Sequence, residues 1–234
     1  MKKMLAFFTA VICCFGSFTA CGNKKNSSRE GDSVSETAAA PENETSGAVE
    51  DKSSEEFTET FRKFFGSGDP VQMMEVSLPD VVIKSMKNIG GFETISETMA
   101  VSSARAMADM QGVDISAAKY ISQRECDLEM RSRLEKLYSA YYSVYRTIED
   151  NGINYEQYIS GDIDESKMKL ILEALANYNK IGNGEDADIG EFVKFDDIKY
   201  VTFSMNGEQT EFLMYKISGE SWKIDMIGLA VFEY

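Results

Sequence analysis

An α+β fold, with helices first and an antiparallel β-meander last, follows from a change of apolar period along the chain. Up to about residue 180 the apolar residues recur every three or four positions, whereas from Phe192 onward they alternate and are mostly aromatic or β-branched. Asn206-Gly207 falls between two alternating runs. It is a strong hairpin signal, because a two-residue hairpin turn favours residues that tolerate positive φ.

The helical part opens at Ser54, an N-cap residue followed by Glu55 and Glu56, where carboxylates favour the helix dipole. Phe57, Phe61, Phe64 and Phe65 then form one aromatic stripe, and Gly66-Ser67-Gly68 stops the helix. Asp69-Pro70 restarts another, with Asp as cap and Pro where its missing N–H costs nothing. Leu78-Pro79 ends that piece, Asp80 caps the next through about Lys87, and Gly90-Gly91 breaks it. Phe92, Ile95, Met99, Ala104 and Met107 predict a further helix up to Met110.

Between Gly112 and Arg124 the helical rhythm fails, and Ile115 to Gln123 reads as a strand with Tyr120 and Ile121 on opposite faces. From Cys126 to about Glu149 a long helix presents Met130, Leu134, Leu137, Tyr138, Tyr141, Val144, Tyr145 and Ile148, and Asp150-Asn151-Gly152 terminates it. Asp164 to Lys180 predicts another helix, with Met168, Ile171, Leu172, Leu175 and Tyr178 inward and Gly182 as its stop. Three strands follow over Phe192 to Met205, Thr210 to Ile217 and Trp222 to Phe232, with Ser218-Gly219 at the second reversal. One face of this meander is expected to pack on the helices and the other to be solvated or concave.

In element order the chain resembles the nuclear transport factor 2-like and cystatin-like superfamily. The features that carry the resemblance are the Phe57 to Asp69 helix and turn, together with the closing Tyr215-Lys216-Ile217 and Trp222-Lys223-Ile224-Asp225 segments. The resemblance implies a curved sheet wrapped around a long helix into a cone.

The first twenty-one residues decide where this body lives. Lys2 and Lys3 form a basic head, Met4 to Phe15 an apolar segment, and Phe18-Thr19-Ala20 lead to Cys21. A dozen apolar residues are too few to span a bilayer as a helix, which takes about 20. The segment therefore reads as an export signal. With a cysteine at the cleavage point it resembles a bacterial lipoprotein signal. The resemblance implies a diacylglyceryl group on the Cys21 thiol, cleavage after Ala20, and a mature protein held on the outer face of a membrane. At about 0.8 kcal/mol per buried methylene, two acyl chains give gross anchoring on the order of 20 kcal/mol. Three regions are expected: a signal over 1–20, an acidic Ser- and Glu-rich tether over 21–53, and one globular domain over 54–234.

Composition excludes several functions. The net charge of −15 becomes −17 once Lys2 and Lys3 leave with the signal, so nucleic acid is not an expected partner. Cys13 and Cys14 leave too and Cys21 is lipidated, which gives the domain a single thiol, Cys126, read as a small apolar group rather than a reactive one. The chain contains no histidine, so it has no Ser-His-Asp or Cys-His nucleophile pair and no His-ligated zinc.

Three constellations remain. The loop from Asn183 to Glu191 is dense in carboxylates, but aligning Gly190 with the EF-hand glycine puts Ala187 and Ile189 at ligand positions, so no metal or cofactor is expected there. Asp225 lies in an apolar strand and is read as an exposed charge beside Lys223; inside a cone it would instead be a general base. Tyr138, Tyr141, Tyr142 and Tyr145 are too many for one helix face, and Trp222 anchors the meander. No catalytic residue and no metal ligand is assigned; Cys21 is the one modified position. The expected function is that of a non-enzymatic, membrane-anchored domain binding a small apolar or amphipathic ligand or an envelope protein. The alternative is a carboxylate-dependent enzyme of the isomerase or dehydratase kind.

Overall fold

The computed structural model describes residues 47–98, 114–205 and 207–231. The signal, Cys21 and the tether up to residue 46 lie outside these residues, as do Met99, Ala104 and Met107 of the fourth predicted helix and Asn206 of the hairpin. The architecture is α+β, with a four-stranded antiparallel sheet in the order β1-β2-β3-β4 and a long central helix.

Helix α1 runs Gly47–Gly66, so it starts seven residues before Ser54, the predicted cap. Ala48 to Ser53 contain no breaker, and the Ser54 carbonyl accepts the Thr58 hydroxyl inside the helix. Helix α2 (Pro70–Glu75) begins as predicted, the Asp69 carboxylate accepting the Val71 N–H at 3.0 Å. In α3 (Asp80–Asn88) the cap is Pro79, not Asp80; the Asp80 N–H goes instead to the Glu220 carboxylate. Helix α4 covers 92–98.

Ile115–Ala117 form a 3-10 turn rather than strand, because the Asp114 side chain accepts the Ser116 N–H and tightens the chain there. Strand β1 follows as Lys119–Glu125, with a register shift between Tyr120 and Ser122 that leaves Ile121 exposed. Helix α5 (Leu128–Asp150) is capped by Asp127. The unpredicted α6 (Tyr155–Ser160) is closed by a capping box between Asn154 and Gln157. Helix α7 (Glu165–Gly182) buries Ile171, Ala174, Leu175, Tyr178 and Ile181, whereas Leu172, predicted inward, is exposed.

Strands β2 (Asp197–Met205) and β3 (Glu208–Lys216) form the hairpin, with Gly207 at φ 88°. The third predicted strand is corrected. Only Lys223–Ile224 extend, as β4, and Ile227–Val231 turn into helix α8. The outer edge of β4 is covered, since the Ile224 N–H donates to the Val76 carbonyl.

Both faces of the sheet carry a packed apolar cluster along β2 and the second half of β3, where alternation predicts one packed face only, while β1 and the start of β3 stay largely exposed. Ile198, Tyr200, Leu213 and Tyr215 join Leu134, Leu137, Tyr138 and Tyr141 of α5 in one apolar cluster. Val201, Phe203, Met205 and Met214 join Phe57, Phe61 and Phe64 of α1 in a second. Phe61 stacks on Phe203 at 4.4 Å between ring centroids, and Phe57 meets Trp222 edge-on at 4.7 Å, so the aromatic stripe of α1 is a lid on the sheet. Each such ring, fully buried, contributes about 2–3 kcal/mol by area.

Candidate functional site

Two polar groups lie deep in this packing, and both gather at the β4 segment. The first is centred on Asp225, which is 2% exposed rather than on the surface as alternation suggests. The strand stops at Ile224, so the period of two no longer governs the next residue. The Asp225 N–H donates to the Leu213 carbonyl, while its Oδ1 accepts the Tyr138 hydroxyl at 2.7 Å and the Gly228 N–H at 2.8 Å. The latter bond joins residues three apart and caps α8. A Cβ on Gly228 would lie 2.2 Å from Asp225 Oδ2 and 2.3 Å from Leu134 Cδ2, so only glycine fits. Tyr215 sits 5.0 Å from Tyr138, ring to ring, and donates its hydroxyl to the Ser77 carbonyl. Burial, then the nearby Asp225 carboxylate, pushes the Tyr138 phenol well above its ordinary range; burial does the same for Tyr215. Both stay protonated and act as donors.

The second group is centred on Lys223, 3% exposed and likewise misplaced on the surface by the sequence reading. Its ammonium donates to the Glu75 carbonyl and to Asp80 Oδ1, both at 2.9 Å, and pairs with Glu220 Oε2 at 3.3 Å. Partial burial pushes the Glu220 carboxyl up, against the pull of Lys223. The cluster ties α2, the start of α3 and β4 into one unit. Nothing in the sequence signals it, because Glu75 and Asp80 are more than 140 residues from Lys223.

The remaining candidates are dispersed. Cys126 is half-buried, and burial raises its thiol above the ordinary value, outweighing the opposite pull of its hydrogen bond with Tyr200; the raised thiol makes it a poor nucleophile at neutral pH. Trp222 is buried against α1. Tyr141 and Tyr145 share a hydroxyl contact at 3.2 Å within the core, and Tyr142 is half-buried against Phe192. In the acidic loop, Asp186 pairs with Lys136 and Glu191 with Lys194. Among the described residues no three acidic or thiol side chains converge as metal ligands.

One half-buried carboxylate gives a pH-dependent test of the helix packing. Glu149 on α5 accepts the Ser85 hydroxyl and the Asn88 amide, each at 2.6 Å, and these bonds hold it below its ordinary value of 4.5. A depressed carboxylate stabilises the fold above its unfolded value and loses that contribution as the pH falls through its folded one. Glu149→Gln is therefore expected to lose about 1 kcal/mol at pH 7. In urea titrations the difference from the parent should shrink as the pH falls below the ordinary carboxylate value of 4.5 and through the lower folded one; a deficit that persists in acid would contradict the charge-assisted origin.

Two solvent-open clefts flank the α1 to α3 region. The larger, about 1050 Å³, is lined by α1 and by Asp114 to Ser116; the other, about 620 Å³, lies between α2, α3 and β4. Asp225, Tyr138 and Tyr215 line neither, whereas Lys223 lines the second. Among the described residues no helix is long and apolar enough to cross a membrane. No family model matches the chain, and neither a curated protein nor a solved structure matches it.

Proposed function

We propose that this protein is a lipid-anchored extracytoplasmic lipoprotein whose domain binds a ligand or an envelope partner and performs no covalent chemistry. What carries the reading is Cys21, placed behind Phe18-Thr19-Ala20 and an apolar segment too short to span a bilayer. The acidic Ser- and Glu-rich run that follows sets the anchor apart from the body.

The interior supports binding over catalysis in a specific way. A general base needs a substrate proton within hydrogen-bond reach. The Asp225 carboxylate, hydrogen-bonded to a buried tyrosine, instead has Oδ1 occupied by Tyr138 and Gly228, and its role is to hold α8. The enzymatic alternative, an isomerase or dehydratase working in a cone-shaped pocket, would require a substrate to reach this carboxylate, which is buried and lines neither cleft.

Membrane fractionation tests the anchor. Cys21→Ser is expected to move the protein from the membrane pellet to the soluble exported fraction, because no acyl chain can then be attached. Retention in the pellet at the parental level would defeat the proposal.

A further inference from the structure

Helix α1 is packed separately from the rest of the body. The larger apolar cluster joins α2 through α8 to one face of the sheet and contains no residue of α1. The smaller one sets Phe57, Phe61 and Phe64 against Ala118, Val201, Phe203, Met205 and Met214. Lifting α1 away therefore opens the second cluster and leaves the first closed.

Little else holds α1 in place. A helix satisfies its own backbone, and among the described residues no backbone hydrogen bond joins α1 to another element. Its polar side-chain contacts with the body are long: the Thr60 hydroxyl meets the Trp222 carbonyl at 3.2 Å, the exposed Arg62 guanidinium meets the Ser116 carbonyl at 3.3 Å, and Glu56 pairs with Lys216 at 3.5 Å. One exposed loop, Ser67 to Asp69, connects α1 to α2, with Gly68 at φ 62°.

The face beneath α1 cannot stay bare. Detachment exposes three phenylalanines, each no more than 5% exposed in the fold, together with the apolar side chains they cover. Water penalises that exposure in proportion to its area. An opened molecule persists only where another helix with the same aromatic spacing fills the groove. A second copy of this chain carries such a helix. The contacts it would make are already displayed, among them Phe61 on Phe203 at 4.4 Å and Phe57 edge-on to Trp222 at 4.7 Å.

We infer that two copies of this chain exchange α1 reciprocally, each sheet seating the helix of the other. Exchange of an identical element loses no packing contact, and because both grooves are filled the dimer is closed. The short loop holds α1 at its own groove with an effective concentration on the order of millimolar. Monomer and exchanged dimer become comparable as the protein concentration approaches that level. This goes beyond the proposed binding role and the lipid anchor, and its failure leaves both standing.

The test uses the whole mature chain carrying Cys21→Ser, so that neither an acyl chain nor a thiol at that position holds copies together. A reducing agent keeps Cys126 from bridging them. Equal amounts of isotope-labelled and unlabelled chain are unfolded together in urea, refolded, and concentrated to about 1 mM, the scale set by the effective concentration. Sedimentation is expected to show a species of twice the monomer mass that grows with concentration. Isotope-filtered NOEs from that species should join the Phe61 ring of one chain to the Phe203 ring of the other, and Phe57 likewise to Trp222. Deleting Ser67 and Gly68 leaves a connection too short for α1 to return to its own groove, and should raise the association constant at least about tenfold. A parent chain that stays monomeric at that concentration would overturn the inference, as would a dimer whose filtered NOEs lie on another surface. A soluble deletion variant no more dimeric than the parent would overturn it too; if that variant precipitates, the mixing experiment on the parent decides alone.

Discussion

Gly228→Ala is expected to destabilise the protein by about 3 kcal/mol and to lower the melting temperature by roughly 6–12 °C. The added methyl meets Asp225 Oδ2 at 2.2 Å and Leu134 Cδ2 at 2.3 Å, and neither neighbour is free to retreat. Asp225 is held through Oδ1 by the Tyr138 hydroxyl and by the Gly228 N–H itself, and Leu134 is fully buried on α5. Relief therefore means breaking the Tyr138 bond, which strands a buried carboxylate, or unseating α8 from α5. Breaking one such charge-assisted bond costs about 1.5–3 kcal/mol, comparable to the overpacking term. Calorimetry on the parent and the variant checks the magnitude. A loss under about 1 kcal/mol would mean that α8 is not fixed in the way described. Gly207→Ala is the contrasting case of backbone strain without overpacking: unlike Gly228 it sits at positive φ, and nothing lies within 4 Å of its Cβ. It should lose only about 1 kcal/mol.

Lys223→Met is the second large effect, expected at about 2–4 kcal/mol at neutral pH. Methionine fills the stem volume, so the loss is electrostatic. Glu220, with only 12% of its side chain exposed, keeps its charge but loses its cation, and the Glu75 carbonyl loses a donor. Asp80 is 69% exposed and is solvated instead, which keeps the figure below that of a fully buried pair. The pH dependence gives the mechanism away. The Glu220 carboxyl is already raised by burial, and without Lys223 it rises further. A raised carboxylate penalises the fold above its folded value and ceases to do so as the pH falls through that value. The deficit of the variant should thus narrow between pH 7 and the titration of Glu220, above its ordinary 4.5. Adding Glu220→Gln should recover part of the loss at pH 7. Equal deficits at both ends of that range would refute the ion-pair account.

These two residues also mark where the sequence stopped being legible. Helix faces were readable because their apolar residues repeat locally: α5 buries Leu134, Leu137, Tyr138, Tyr141, Val144, Tyr145 and Ile148 as the period predicts. The hairpin was readable from Gly207 and the two alternating runs around it. Trp222 to Phe232 was misread because Trp222, Ile224 and Met226 alternate by accident up to a helix start. The signal that was present was Asp225 itself, a cap residue three positions before Gly228 at the head of a short apolar run. The covered second face of the sheet had a signal as well. Ile198 and Tyr200 alternate with Val201, Phe203 and Met205, so both parities of β2 are apolar, which is the mark of a strand buried on two sides. The Lys223 cluster had none, since a buried cation is recognised by its partners and those come from the far end of the chain.

The two borders of the sheet are finished differently, and that difference matters wherever copies of the protein meet at high local concentration. On one side the backbone at Val76 seals β4. On the other, β1 is kinked at Ile121 and carries Lys119, Arg124 and Glu125, with Arg124 clamped by Glu211 and Glu125 by Lys199. A shift of one residue at the kink puts Lys119 and Glu125 on opposite sides of the strand. Two copies meeting head to tail along β1 would therefore find their opposite charges out of reach of each other. Lateral self-polymerisation through this rim is disfavoured, and neighbouring molecules can be packed densely without zipping into fibres.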